Sequence, residues 1–410
     1  MSTIATPVLS DSVRSSHLTS EHEATVRATL PVIGAHINEI TPIFYNRMFA
    51  EHPELIRDTF NRGNQRSGGQ QKALAASVAT FASMLVDPSA PDPVAMLSRI
   101  AHKHVSLGIT ADQYQIVHDH LFAAIVEVLG EAVTPEVAEA WDEVYWLMAE
   151  TLIAAESEMY RAAGVEPGDV FRDAVLTDRR DLSDMVTEFT FSAPEEFALA
   201  RAGQYVSIGV VLADGARQLR QYSLVDWSSE GFSIAVQRDG EVSAALLDAL
   251  NVGDRVDATL PAGDLVLDEG VVAGETPVVL VSSGIGSTPM TGMLSSLVAA
   301  GTSPTVTVIH ADETAASYAQ RDVTEGYLAA LRDAGATVHA VTSYREEGET
   351  VDLTALAAES VVPVGAAWYL CGGNGFLQSI RAQLETEAAV LRPAAVNVEL
   401  FSPNDWLLGE

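Results

Sequence analysis

Several residues in this chain have types and spacings that could do chemistry. His104 lies in the stretch VAMLSRIAHKHVSLG, where Leu97, Ile100, Ala101 and His104 fall on one helical face; the imidazole therefore points inward among apolar neighbours, while His102 faces elsewhere. A histidine so placed is either a hydrogen-bonded core residue or a metal ligand. Gln70, Leu74 and Val78, four apart, line one face of another helix. Tyr145, Ala149, Leu152, Glu156 and Met159 follow a third face, which draws Glu156 away from the reading of a surface acid near a helix end. Tyr45 reads equally as core packing or as a hydroxyl donor.

A second set suits anionic ligands. Strand Val278–Ser282 leads into Ser283-Gly284-Ile285-Gly286-Ser287-Thr288-Pro289-Met290, where two glycines let backbone approach a phosphate and Pro289 is expected to start the helix facing it. This is not the dinucleotide fingerprint G-x-G-x-x-G. Gly240-Glu241-Val242-Ser243 precedes an apolar run, Ala244–Leu250; a glycine turn with Ser243 as N-cap would present free N–H groups to a pyrophosphate, or be simply a capped helix after a hairpin.

The elements that must position these residues change along the chain. From Ser20 to Ala162 apolar residues recur every three or four positions, with breaks at Pro53, 61–69, 87–93, Gly108 and Thr134-Pro135, which predicts about six helices. Ala163–Asp169, with two glycines and a proline, reads as a linker. Short alternating runs follow at Met185–Phe191, Tyr205–Val210, Phe232–Gln237 and Arg255–Leu260, and predict antiparallel strands of a small barrel. From Thr276 apolar strands at Val278–Ser282, Thr305–His310, Thr337–Thr342, Trp368–Cys371 and Val396–Leu400 alternate with helices, the pattern of a parallel α/β sheet. The expected fold is multidomain: all-α over residues 1–162, an antiparallel β-barrel over 163–272 and an α/β parallel-sheet domain over 273–410, consistent with 410 residues being too many for one ordinary core.

Composition narrows the partners. A formal charge of −33 repels phosphate backbones and anionic bilayers, so neither nucleic acid nor an obligate membrane partner is expected. The lone Cys371 excludes an internal disulfide and a cysteine-based metal site. The N-terminus lacks the basic-then-apolar order of a secretory signal, and the longest apolar run, near Val278–Val281, is too short to span a bilayer, so a cytoplasmic protein is expected.

The order of several short motifs adds a family. Phe44–Phe49 (FYNRMF), Phe60–Gly69 with Gln70, and KHVSLGITADQYQIV resemble the globin domain of flavohaemoglobins. Arg220-Gln221-Tyr222-Ser223, after Gly203-Gln204-Tyr205, resembles the R-x-Y-S/T signature of the ferredoxin reductase superfamily, and Gly284–Pro289 its G-x-G-x-T-P form. Leu260-Pro261-Ala262-Gly263-Asp264 fits that family's barrel end. Cys371-Gly372-Gly373 is similar to its C-G-P turn, with Gly373 where proline is usual. Glu399-Leu400-Phe401-Ser402-Pro403 resembles E-x-F-G-P, with Ser402 in place of glycine. The resemblance runs from Ser20 onward through all three expected domains.

It implies haem b held by His104, Tyr45 and Gln70 on the distal side, Phe60 and Leu74 against the haem, and Tyr114 and Glu156 in a proximal network. The flavin phosphate would meet Arg220, the isoalloxazine Tyr222, the flavin N5 side Ser223, and the FAD pyrophosphate Gly240–Ser243, with Tyr205 and Gln221 beside them. The nicotinamide dinucleotide would lie along Gly284, Gly286, Ser287, Thr288 and Pro289, with Cys371 and Gly372 beside the nicotinamide and Phe401 covering the flavin face. Asp312 and Glu313 after the second strand of the sheet disfavour a ribose 2′-phosphate, so NADH is expected over NADPH, with Arg321 the nearest opposing cation. The implied activity is nitric oxide dioxygenase, in a monomer whose partners are oxygen, nitric oxide and NAD(P)H. The alternatives are a flavin or ferric reductase or other haem redox enzyme without nitric oxide activity, and a gas-binding sensor or reservoir.

Overall fold

The computed structural model describes residues 5–90 and 93–401. By contact they form two compact units, one gathering the helices up to Phe171 with Val211–Leu219, the other Arg172–Val210 and Arg220–Phe401.

The helical unit holds α1 (Ala5–Ser15), α2 (Ser20–Glu51), α3 (Pro53–Asp58), α4 (Arg62–Ser67), α5 (Gly69–Val86), α6 (Val94–Val105), α7 (Gln113–Leu129) and α8 (Pro135–Ala163). Two were not expected: α1, whose Leu9 is fully buried, and α4, which Asn61 caps by accepting from Gly63 and Asn64 N–H inside a stretch read as a break. Side-chain caps mark the starts of the two longest helices. Thr19 caps α2 and Thr134 caps α8, with Pro135 in its first turn. Gly164 ends α8 at φ +72. α2 runs through Pro31 and Pro42, each of which leaves a carbonyl one turn earlier without its helical N–H. The core of this unit is a single apolar cluster that includes Phe44, Met48, Phe81, Leu97, Trp141 and Leu152.

The second unit contains most of a closed barrel with strand order β1-β2-β5-β4-β3-β6; the first residue of β1, the last of β3 and the first three of β4 group with the helices. Its strands are β1 (Phe171–Ser183), β2 (Val186–Ser192), β3 (Tyr205–Val211), β4 (Arg217–Ser228), β5 (Gly231–Gln237) and β6 (Arg255–Thr259). β1 and β4 are additions to the expected strands. β1 shifts register twice against β2, and β4 once against β5, so neither shows a clean alternation in sequence. The Arg220–Ser223 motif lies within β4. α9 (Gly240–Ala249) and α10 (Glu269–Val272) complete this part.

The five-stranded sheet has order β11-β10-β7-β8-β9 and is parallel throughout. It comprises β7 (Val278–Ser283), β8 (Thr305–Asp312), β9 (Thr337–Tyr344), β10 (Ala367–Cys371) and β11 (Ala395–Glu399), joined through α11 (Ser287–Ala300), α12 (Arg321–Asp333), α13 (Leu353–Ala358), α14 (Asn374–Thr386) and α15 (Ala388–Leu391). The chain reverses its direction of strand addition between β7 and β10, and the crevice outside the carboxyl ends of those strands is where such sheets take ligands. Among the described residues no helix is long and apolar enough to cross a membrane.

Candidate active site

In the helical unit the inward histidine gains partners that spacing alone could not reveal. Glu156 Oε1 on α8 lies 2.8 Å from His104 Nδ1 on α6 and accepts the Tyr114 hydroxyl of α7 at 2.6 Å; His104 Nδ1 and the Tyr114 hydroxyl are 3.0 Å apart. Glu156 is 3% exposed, so this carboxylate is held by the two side chains and not by water. A carboxylate only accepts, so Nδ1 is the donor in this pair and Nε2 is the ring nitrogen left to meet a metal. Burial, with the Glu156 charge beside it, pushes the Tyr114 hydroxyl far above its ordinary value, which keeps it a donor at any working pH. Tyr145 donates to the Tyr114 carbonyl and Tyr160 to that of Ile109, fixing the turn between α6 and α7.

The distal candidates also meet. Gln65 and Gln70 lie beside the Tyr45 hydroxyl and oppose burial, which drives its acidity well below that of a free phenol. Phe60 lies edge-on to Tyr45 at 5.9 Å and to Phe49 at 5.3 Å. Gln65 was not singled out from sequence. It sits on α4, and its Oε1 also accepts from Gln71 Nε2 at 3.0 Å; nothing in the periodicity signalled that turn, because α4 was read as a break. Leu74 and Val78 line an apolar cavity with Ile33, Ile37, Leu121 and Val144.

These groups fit a haem. An imidazole whose Nδ1–H is taken by a buried carboxylate presents Nε2 as a basic metal ligand. His104 itself is 31% exposed at the side chain, and Phe60 and Leu74 are likewise only half-buried although they pack on the apolar core. Partly open apolar side chains and an imidazole nitrogen able to ligate are what a flat hydrophobic macrocycle would need.

In the barrel, β4 carries Arg220, Gln221, Tyr222 and Ser223 in register. Gln221 Nε2 donates to Ser207 Oγ on β3 at 2.8 Å, and Leu224 N to the Gln204 carbonyl at 2.9 Å, so the motif is anchored to the stretch that leads into Tyr205. Tyr205 forms a bridge with Ala262. Burial raises the Tyr222 hydroxyl, with Arg220 opposing. α9 begins at Gly240 with Asp239, not Ser243, as its N-cap; Ser243 Oγ instead accepts from Asp239 N at 2.7 Å and donates to the Gly240 carbonyl. Val242 and Ser243 are buried in that first turn, and its N-terminus remains a place for an anion.

At the switch point of the sheet the two glycine loops touch. A Cβ on Gly286 would stand 2.5 Å from the Cys371 carbonyl oxygen and 2.8 Å from Gly372 N, and one on Gly372 would stand 2.3 Å from Ser283 Oγ. Glycine is needed because backbone packs on backbone there. α11 starts at Ser287, two residues before the expected Pro289, with Thr288 Oγ1 bonded to the Ile285 carbonyl. Cys371 is fully buried, and burial together with the Glu399 carboxylate pushes its thiol up, so it is a packing residue and not a nucleophile. Phe401 is 52% exposed; Ser402 and Pro403 lie outside the described residues.

The globin family model matches residues 43–152. A flavohemoprotein of Deinococcus radiodurans is 38% identical over 386 residues, covering 90% of this chain and 93% of that one. A flavohemoprotein of Bordetella parapertussis is 39% identical over 389 residues, covering 90% and 94%. The solved flavohemoglobin of Malassezia yamatoensis, which contains bound FAD and haem, superposes with a TM-score of 0.82 at 32% identity, over 94% of this chain and all of that one. The chain belongs to the flavohemoprotein family.

Proposed function

We propose that this chain is an NAD(P)H- and oxygen-dependent nitric oxide dioxygenase that uses haem b, FAD and NADH, in domains spanning 1–162, 163–272 and 273–410, and that it acts as a monomer. The observation that carries the reading is the His104–Glu156–Tyr114 cluster in a chain that also has the Arg220–Ser223 and Gly284–Pro289 sites. When bound, the three cofactors supply a two-electron donor, a carrier that can divide the pair, and an iron at which oxygen is activated. The stoichiometry balances as NO + O₂ + e⁻ → NO₃⁻, so one NADH serves two turnovers.

The residues have distinct tasks. With haem bound, His104 would hold the iron through Nε2. Glu156 and Tyr114 fix the ring and raise its basicity, a push that oxygen chemistry needs and storage does not. Tyr45 and Gln70 place donors on the distal side, where partial negative charge develops, and the apolar cavity beside Leu74 suits uncharged diatomic gases. Arg220 takes the flavin phosphate, Tyr222 stacks on the ring, and the N-termini of α9 and α11 receive pyrophosphate.

NADH is favoured over NADPH by the end of β8. The Asp312 carboxylate is opposed by burial but held low by His310, Ser317 and the Glu313 N–H, so it stays anionic. The two nearby cations are already paired, Arg345 with Glu313 and Arg321 with Glu325.

Two measurements check these assignments. Nitric oxide and oxygen electrodes with purified holoprotein should show nitric oxide consumption that needs both NADH and oxygen; NADH oxidation without it would support the reductase alternative, and gas binding without NADH oxidation the sensor. Glu156→Gln keeps the shape but removes the charge. It should leave the Soret band in place, weaken the iron–histidine bond seen by resonance Raman, and lower turnover by about 10- to 100-fold. An unchanged Raman band and turnover would make Glu156 a structural acid.

A further inference from the structure

Residues Val211–Leu219 group with the helices, and one side chain among them makes an unusual set of bonds. Gln218 is 1% exposed. Its Nε2 lies 3.2, 2.9 and 3.3 Å from the carbonyl oxygens of Ile56, Arg57 and Phe60, and its Oε1 accepts from Arg62 N at 3.2 Å. The first two carbonyls belong to the last turn of α3, and Arg62 is the first residue of α4. Helix ends leave such groups without intrahelical partners. One amide from more than 150 residues away therefore satisfies the end of one short helix and the start of the next. Two further bonds brace the same turn: Arg217 N donates to Asp58 Oδ1 at 3.3 Å, and Arg62 pairs with Asp214 at 2.6 Å.

The residues enclosed between these attachments are Thr59, Phe60 and Asn61. α3 and α4 have six residues each, too short to hold their own geometry. Phe60 therefore depends on what ties down its flanks. We propose that Gln218 is a positioning residue that locks the α3–α4 turn and so holds the Phe60 ring against the haem. This rests on the reading of Phe60 as a haem-contacting side chain. The closest rivals to the amide are side chains that keep its volume but not its bonding: methionine supplies no donor, and glutamate keeps the acceptor while setting a negative charge among three carbonyl oxygens.

The experiment uses full-length holoprotein and two readouts, transfer of haem to excess apomyoglobin and amide hydrogen exchange over residues 56–64. Gln218→Met should raise exchange in that segment and speed haem loss about 10-fold, the order expected when buried carbonyls lose their donor. Gln218→Glu should do so more strongly. Phe60→Ala should also speed haem loss, and adding Gln218→Met to it should bring little further change, because one acts through the other. Unchanged exchange in Gln218→Met overturns the proposal, as do strictly additive effects on haem loss. If Phe60→Ala itself leaves haem loss unaltered, the Phe60 reading fails and the proposal falls with it; if Phe60→Ala speeds loss and Gln218→Met does not, the proposal alone falls.

Discussion

His104→Ala should yield a folded flavoprotein without a Soret band. Among the described residues of the helical unit, it is the one side chain whose Nδ1 meets a buried carboxylate and a tyrosine hydroxyl, with Nε2 left to ligate. Removing it takes away the iron bond and leaves the Glu156–Tyr114 pair intact at 2.6 Å, so the α7–α8 packing around it should survive. Flavin content and NADH-dependent reduction of an artificial acceptor should remain near those of the parent, because Arg220–Phe401 belong to the other compact unit. Millimolar imidazole should restore part of the Soret band by occupying the vacated space, which separates loss of a ligand from loss of the fold. A variant with a parental Soret band and no need for imidazole would remove His104 from the role.

Gly286→Ala should do the reverse, sparing haem and stopping entry of electrons. The added methyl would overlap the backbone of Cys371 and Gly372, which end β10 and cannot rotate aside as a side chain could. Relief requires moving one glycine loop away from the other at the sheet's switch point, at a cost of about 1–3 kcal/mol or more. Since these loops form the expected dinucleotide cleft, NADH reduction of the flavin should slow by at least about 10-fold, while dithionite still reduces the haem and its spectrum is unchanged. Stopped-flow flavin bleaching at the parental rate would show that the dinucleotide binds elsewhere.

The three kinds of architecture and the order of the motifs were legible from sequence because each rests on a local signal. Helical spacing placed His104, Gln70 and Glu156 on inward faces, and all five strands of the parallel sheet show as short apolar-rich runs alternating with helices. What stayed hidden depends on distant contacts. Within the helical unit, burial alone would have selected His102 or His120, each 7% exposed, over His104; only Glu156 and Tyr114 distinguish the proposed ligand. β1 and β4 escaped because bulges break their alternation and charged residues occupy exposed positions. Ser243 looked like an N-cap by type, yet its hydroxyl bonds back to the residue that holds that position. Gln65 and Gln218 gave no sign at all, since an amide's role is set by whichever backbone or hydroxyl group it meets after folding.

The central claim is that electrons pass from NADH through the flavin to the haem of one chain. Anaerobic mixing of the holoprotein with NADH, followed by rapid-scanning spectroscopy, tests it most directly. The account predicts flavin bleaching first and then a shift of the Soret and visible bands to the ferrous form, at a rate independent of protein concentration. Flavin bleaching with a haem that stays ferric, or haem reduction that scales with protein concentration, would contradict it.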